Sequence, residues 1–351
     1  MKTHDLDTPA LLLDMEAMES NLSRMANYFR GASARLRPHF KNHRMLPWAT
    51  RQIEAGAIGM TCARLSQAEA LVQHGIQSVL IANEIVGESR LRQFAELARR
   101  AEVIVPVDNA AVVNDMARVS RDLQVPLNVL VDVDTGLKRC GVPSREAALE
   151  LARRVVNSGL RLRGVMGYEG HLQPRPPGEE KIRAVQSAVG FLVEVKQMIE
   201  KAGLPGEIVS CGGTGTYSIL GSYPGVTEIQ AGSYLIMDTW YSPVVPDFKL
   251  AASVLVTIIS KTGNERFVVD AGVKALSGER GLPSVKGISG LELKALHAEH
   301  GIIAIQDPAV QLNVGDKIEL WVHYHDGTIH LHNKAYGIRN GEVEEVLTIE
   351  H

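Results

Sequence analysis

LNVLVDVD (127–134), REAALELARRVVNSG (145–159) and LRGVMGYEG (162–170) are the stretch on which the fold turns. The first and last are short apolar runs rich in valine and leucine, a composition suited to strands covered on both faces. Between them apolar residues recur at helical spacing, and the run stops on Gly159, a helix-ending residue. Strand, helix and strand in immediate succession place two parallel strands side by side.

The same alternation continues outward in both directions. Strand-type runs stand at RLRPHFKN (35–42), GMTCAR (59–64), SVLIAN (78–83), EVIVPVD (102–108), EIVSCGG (207–213) and EIQAGSYLI (228–236). Helical stretches such as EEKIRAVQSAVGFLVEVKQMIEKAG (179–203) separate them. Eight strand–helix alternations predict an α/β fold, a (β/α)8 TIM barrel over residues 16–245. An open doubly wound sheet also alternates, but the first strand–turn–helix lacks a GxGxxG fingerprint. Beyond residue 245, runs such as LAASVLVTIISKTG and DKIELWVHYHDGTIHLHNKAYGIRNGEVEEVLTIE are β-branched and punctuated by glycine. They predict a β-strand domain of residues 246–351, which residues 1–15 join through a strand in TPALLLD.

The 351 residues carry a net charge of −3 with both signs mixed, which gives no reason to expect a nucleic-acid or membrane partner. The N-terminus has no signal-peptide pattern, and no apolar run approaches the roughly 20 residues of a membrane span. Cys62, Cys140 and Cys211 are too few and too scattered for a disulfide frame or a zinc knuckle. The expectation is a cytoplasmic protein with reduced thiols and a small-molecule substrate.

Chemistry in such barrels gathers at the C-terminal ends of the strands. Those ends read Lys41, Arg64, Asn83, Asp108, Asp134–Arg139, Tyr168–His171, Gly212–Thr216 and Gly232–Tyr234. CGGTGTYS (211–218) is either a tight strand-to-helix turn or an anion cradle in which glycines let the backbone approach and Thr214 and Thr216 add hydroxyls. QAGSY (230–234) is a second small-residue loop after the next strand, and two such loops after strands seven and eight match the usual barrel phosphate site. Lys41, in RPHFKNHR (37–44), reads as a solvated charge, a phosphate clamp or a nucleophile. A monophosphate site and Arg139 in the same barrel mouth favour the nucleophile. An amine beside another cation has its pKa lowered and forms an imine with an aldehyde, and an aldehyde bearing one phosphate suggests pyridoxal 5'-phosphate.

RPHFKNH, VDVDTGLKRCG, GYEGH, CGGTGT and TEIQAGSYLIMD, in that order, resemble the D-threonine aldolase and D-serine dehydratase family of alanine-racemase-like, fold-type III pyridoxal-phosphate enzymes. The resemblance covers nearly the whole chain. It implies a barrel with a C-terminal β-domain, a homodimer, and a Schiff base on Lys41. It puts Arg139 near the cofactor's phenolic oxygen and Tyr168 and His171 beside cofactor or substrate. Thr214, Gly215, Thr216, Gly232, Ser233 and Tyr234 would bind the phosphate. Gln230 takes the place where racemases of this fold set an arginine facing the pyridine nitrogen.

The resemblance further implies a divalent metal (manganese, magnesium or zinc) held in the C-terminal domain by a His-x-Asp or His-x-Cys pair. VHYHDGTIHLHNK (322–334) departs from that pattern, because Asp326 falls on the aspartate position and Tyr324 on the histidine position. His323, His325 and Asp326 are therefore the candidate ligands. Without the family, Asp326-Gly327 is a hairpin signal that would set His323 opposite His330 and His325 opposite Thr328. Such a face could bind a metal through imidazoles or simply be the wet side of a hairpin. The activity implied is a lyase on D-β-hydroxy-α-amino acids, with Lys41, His171 and Arg139 as catalytic candidates. It would split these substrates to glycine and an aldehyde, or else dehydrate D-serine or 3-hydroxy-D-aspartate to a 2-oxo acid and ammonia. A racemase, a cofactor carrier without catalysis and a sugar-phosphate barrel enzyme are the competing readings.

Overall fold

The computed structural model describes residues 1–351, with seventeen strands. After β1 (Ala10–Asp14) come the eight barrel strands β2 (Arg35–Leu36), β3 (Met60–Cys62), β4 (Ser78–Ile81), β5 (Glu102–Val107), β6 (Asn128–Asp132), β7 (Arg161–Met166), β8 (Ile208–Cys211) and β9 (Glu228–Ile229). Each falls inside or within a residue of a run read from the sequence. They pair in the order β2-β9-β8-β7-β6-β5-β4-β3, every ladder parallel. Leu80, Ile104, Leu130, Met166 and Ile208, one from each of five successive strands, form one buried cluster.

The curled sheet closes between its first two strands. His39 and Thr61 form a parallel bridge, the Thr61 amide donates to the Pro38 carbonyl at 2.8 Å, and its hydroxyl donates to the Arg37 carbonyl at 3.0 Å. The run expected as strand 35–42 forms only a two-residue ladder with β9, although the Arg37 and His39 amides still donate to the Ile229 and Ala231 carbonyls at 2.9 and 3.2 Å. The chain then tightens into a 3₁₀ turn at Phe40–Asn42, so Lys41 lies on a turn past the strand.

At Arg37 the barrel is braced by charge. Its Nε donates to Glu228 Oε2 at 3.0 Å with both side chains almost wholly buried, and its other arm donates to Ser78 Oγ at 2.9 Å. Ser78 in turn donates to Glu102, which also takes Arg163.

The remaining strands are β10 (Ala252–Lys261), β11 (Arg266–Val269), β12 (Ser284–Val285), β13 (Leu291–Leu296), β14 (Gly301–Ile305), β15 (Lys317–Trp321), β16 (Lys334–Arg339) and β17 (Glu342–Thr348). Their sheet runs β13-β14-β11-β10-β1-β16-β17, with β15 on β10 and β12 on β15. All these pairs are antiparallel except β1 with β16. By internal contacts one unit comprises residues 1–24, 42–45 and 233–351, and the other residues 25–41 and 46–232. No helix is long and apolar enough to cross a membrane.

The hairpin expected at Asp326-Gly327 is absent. β15 pairs with β10 and β12, and β16 with β1 and β17, so the strands flanking the turn are not partners. His325–Ile329 is a short helix with Asp326 in its first turn, where a carboxylate is favoured. Gly327 is required by packing, since a Cβ there would stand 2.5 Å from Ser277 Oγ.

Arg37→Met would leave Glu228 buried without its cation, with one carboxylate oxygen already lacking a partner. A loss of about 3–5 kcal/mol is expected in urea unfolding, and Arg37→Met with Glu228→Leu should recover most of it.

Candidate active site

Lys41 is set by its own turn. Its amide donates to His39 Nδ1 at 3.4 Å. The second flanking histidine, His43, is fully buried and accepts the Met45 amide at 3.1 Å. Both imidazoles thus serve the backbone around the lysine.

A small cleft opens in the barrel unit at the ends of β4, β6 and β7, lined among others by Glu84, Asp132, Arg139, Cys140 and Tyr168. The loop after β6 is shaped by Asp134 Oδ1, which accepts the amides of Gly136 at 2.9 Å and Lys138 at 3.0 Å. It carries the Arg139 guanidinium to 5.6 Å from the centre of the Tyr168 ring, a cation–π arrangement. His171 packs on the same loop, because a Cβ on Gly136 would lie 3.2 Å from its Cε1. Arg139, Tyr168 and His171, predicted separately, are therefore brought together.

Sequence reasoning missed the acids beneath them. Asp132 is buried, and that burial, reinforced by Glu84 and Asp108, pushes its carboxyl up to about 8. Burial and Glu84 likewise raise the Cys140 thiol to about 11. Asp132 shares strand parity with the buried Leu130, a signal that it faces away from water.

The CGGTGT loop is held from within. Glu169, fully buried, accepts the Thr216 hydroxyl at 2.6 Å, the Gln173 amide at 2.7 Å and the Gly212 N–H at 3.2 Å. Gln173 also donates to the Thr216 oxygen at 2.9 Å and accepts the Gly215 N–H at 2.9 Å, and the Gly213 N–H reaches Thr216 at 3.2 Å. The Thr216 hydroxyl is thereby engaged inside the protein, giving one proton and receiving two, and it fixes the loop. The following helix, Tyr217–Leu220, has only four residues, so its dipole adds little, and Thr214 in the same loop is buried. Gln230 donates to Ser210 Oγ at 2.8 Å. Gly232 is the last residue of the barrel unit. Ser233 accepts Asn42 Nδ2 at 3.3 Å in the other unit, where Tyr234 is wholly buried with its ring 5.8 Å from Phe248.

Within that second unit, His325 and Asp326 come together. Asp238 Oδ2 sits 2.5 Å from His325 Nδ1 and also accepts the His325 amide at 2.9 Å. A carboxylate can only accept, so the ring proton lies on Nδ1 and Nε2 presents a lone pair. Asn42 Nδ2 lies 3.0 Å from that Nε2 and 2.5 Å from Asp326 Oδ1. An N–H donor thus stands where two lone pairs converge, and a carboxylate behind a histidine is the usual support of a metal ligand. The His325 and Asp326 side chains offer a divalent cation two ligand atoms 3.4 Å apart. His323 stands apart, its Nδ1 2.7 Å from the Thr239 hydroxyl and its Nε2 3.2 Å from the Arg280 carbonyl.

The barrel residues fit a phosphorylated aldehyde. An amine on a turn, an arginine and a glycine loop share one unit, and the Thr135 hydroxyl in the cleft wall is buried without a protein partner.

A family model for the alanine racemase N-terminal domain matches residues 13–239, and one for a serine dehydratase domain matches residues 251–338. The chain is 33% identical to D-threonine aldolase of Arthrobacter sp., over 98% of this chain and 92% of that one. It is 30% identical to D-threo-3-hydroxyaspartate dehydratase of Delftia sp. (strain HT23), over 90% of this chain and 88% of the relative. The crystal structure of D-threonine aldolase from Filomicrobium marinum superposes with a TM-score of 0.95 at 32% identity, covering 100% of this chain and 97% of the other.

Two outcomes follow from the geometry. Asp132 in the unfolded chain titrates near 4, and in the folded chain at about 8. Between those values the folded chain keeps a proton that the unfolded chain has lost. The stability this contributes is whole below about pH 4 and lost as pH rises through about 8. Asp132→Asn should flatten that decline in denaturation curves taken across the window. Asp238→Asn should weaken Mn²⁺ or Zn²⁺ binding about 10–100-fold in a chelator competition.

Proposed function

We propose that this chain, which belongs to the alanine-racemase-like family containing the D-threonine aldolases and D-serine dehydratases, is a pyridoxal-phosphate lyase that splits D-β-hydroxy-α-amino acids into glycine and an aldehyde. The observation that carries the aldolase reading is the His325–Asp326 pair backed by Asp238. Retro-aldol cleavage begins by taking the proton of an alcohol, which side chains do poorly at neutral pH. Racemisation makes no such demand.

Pyridoxal phosphate, when bound, supplies the electron sink that makes a carbanion at Cα accessible. A divalent cation on His325 and Asp326 would acidify the β-hydroxyl. The chain's own side chains do the rest. Lys41 offers the amine that holds the cofactor's aldehyde carbon. Arg139 offers a positive charge to the phenolic oxygen, steadied by the Tyr168 face, while Asp132 keeps a proton and does not cancel that charge. His171, pressed against Gly136, would pass a proton to or from the substrate. The phosphate would fall to the 211–216 loop, with Thr214 and Gly215, and to Gly232. Gln230, tied to Ser210, is an uncharged neighbour for the pyridine nitrogen. A homodimer in the cytoplasm completes the proposal.

The serine dehydratase domain match over residues 251–338 favours a second reading, in which Lys41 removes the α-proton and the β-hydroxyl leaves. The products separate the two. The cofactor-loaded protein would be offered D-threonine, D-threo-3-hydroxyaspartate and D-serine, with and without a chelator. Glycine and an aldehyde are expected, lost on chelation and restored by manganese, magnesium or zinc. A 2-oxo acid with ammonia would support the dehydratase instead. Lys41→Ala should abolish the visible absorption of bound cofactor, and its persistence would sink the proposal.

A further inference from the structure

Behind the glycine loop lies a buried carboxylate that the chemistry above does not use. Glu169 has no exposed surface, and its two oxygens hold Thr216, Gln173 and Gly212. Were it ionised and uncompensated, it would repel a phosphate arriving on the other side of the loop. Burial favours its protonated form, against the pull of those hydrogen bonds.

A cation is built in beside it. Lys181, on the helix Glu179–Lys201, is 4% exposed, unusual for a lysine. Its Nζ donates to the carbonyls of Gln173 at 3.0 Å and Arg175 at 2.9 Å. Burial lowers its pKa to about 8, while the charge of Glu169 works in the opposite direction. Lys181 therefore ties down the peptide that carries Gln173, and Gln173 in turn holds Gly215 and Thr216. The fit is close, because a Cβ on Gly215 would come within 2.4 Å of the Gln173 carbonyl oxygen and one on Gly213 within 2.8 Å of its Oε1.

We propose that Lys181, acting through Gln173 and Glu169, is a positioning residue that fixes the 211–216 loop for a phosphate monoester and balances the charge behind it. This rests on the pyridoxal-phosphate reading. It assigns the latch to the phosphate and leaves the amine at Lys41 alone, so phosphate-bearing and phosphate-free ligands should respond differently.

The test titrates the full-length, cofactor-stripped chain with pyridoxal 5'-phosphate and with pyridoxal, following visible absorption, and measures inorganic phosphate as a competitor of the former. In Lys181→Met, pyridoxal phosphate and inorganic phosphate should each bind about tenfold more weakly or worse, because the loop that receives the phosphate is no longer held in place beforehand, with pyridoxal unchanged. Lys181→Arg, which keeps charge and donors, should restore most of the affinity. If Lys181→Met does not fold, Lys181→Gln, which still donates but carries no charge, serves the same comparison. Equal losses for both aldehydes, or no loss for either, would overturn the latch. Wild-type protein that takes up neither aldehyde would overturn the cofactor reading itself.

Discussion

The seam between β2 and β3 is the constraint on which the barrel unit depends. Seven ladders join neighbouring strands, one of them with a register shift at Val129–Leu130, and the eighth contact is made by a segment containing Pro38, which has no N–H to contribute. Thr61 compensates by giving its amide to Pro38 and its hydroxyl to Arg37, and Phe40 is buried to anchor the turn. Beyond the His39–Thr61 bridge the chain turns at Phe40–Asn42, and Lys41 lies on that turn.

Charge is handled in the same spirit throughout, with no buried ion left to itself. Arg37 answers Glu228, and Lys181 stands near Glu169. Asp132, crowded by Glu84 and Asp108, keeps its proton. Asp238 fixes the tautomer of His325. Each arrangement spares the interior an unpaired charge.

The barrel was legible because its information is local. Apolar runs and helical spacing mark every strand, and polar strand ends announced Lys41, Arg139, Tyr168 and His171. What escaped depended on partners distant in sequence. Asp326-Gly327 looked like a hairpin, but that motif needs its flanking strands to pair, and here each pairs elsewhere. Thr216 looked like a ligand donor until Glu169 and Gln173 claimed its hydroxyl. Asp132 could have been found from its strand parity with Leu130, whereas nothing in the linear string shows that the Glu169 carboxylate is shut away from water.

The place of β1 in the second sheet has a consequence for assembly. It lies between β10 and β16, antiparallel to one and parallel to the other. A ribosome makes β1 before every barrel strand and both its neighbours after them, so some 240 residues separate Leu11 from its register partner Val254. Loop closure on that scale is slow. Until β10 and β16 emerge, the leucines of β1 travel uncovered, an adhesive segment waiting for its slot. The charged helix that follows, with Glu16, Glu19 and Arg24, keeps solubilising groups beside that segment during the wait.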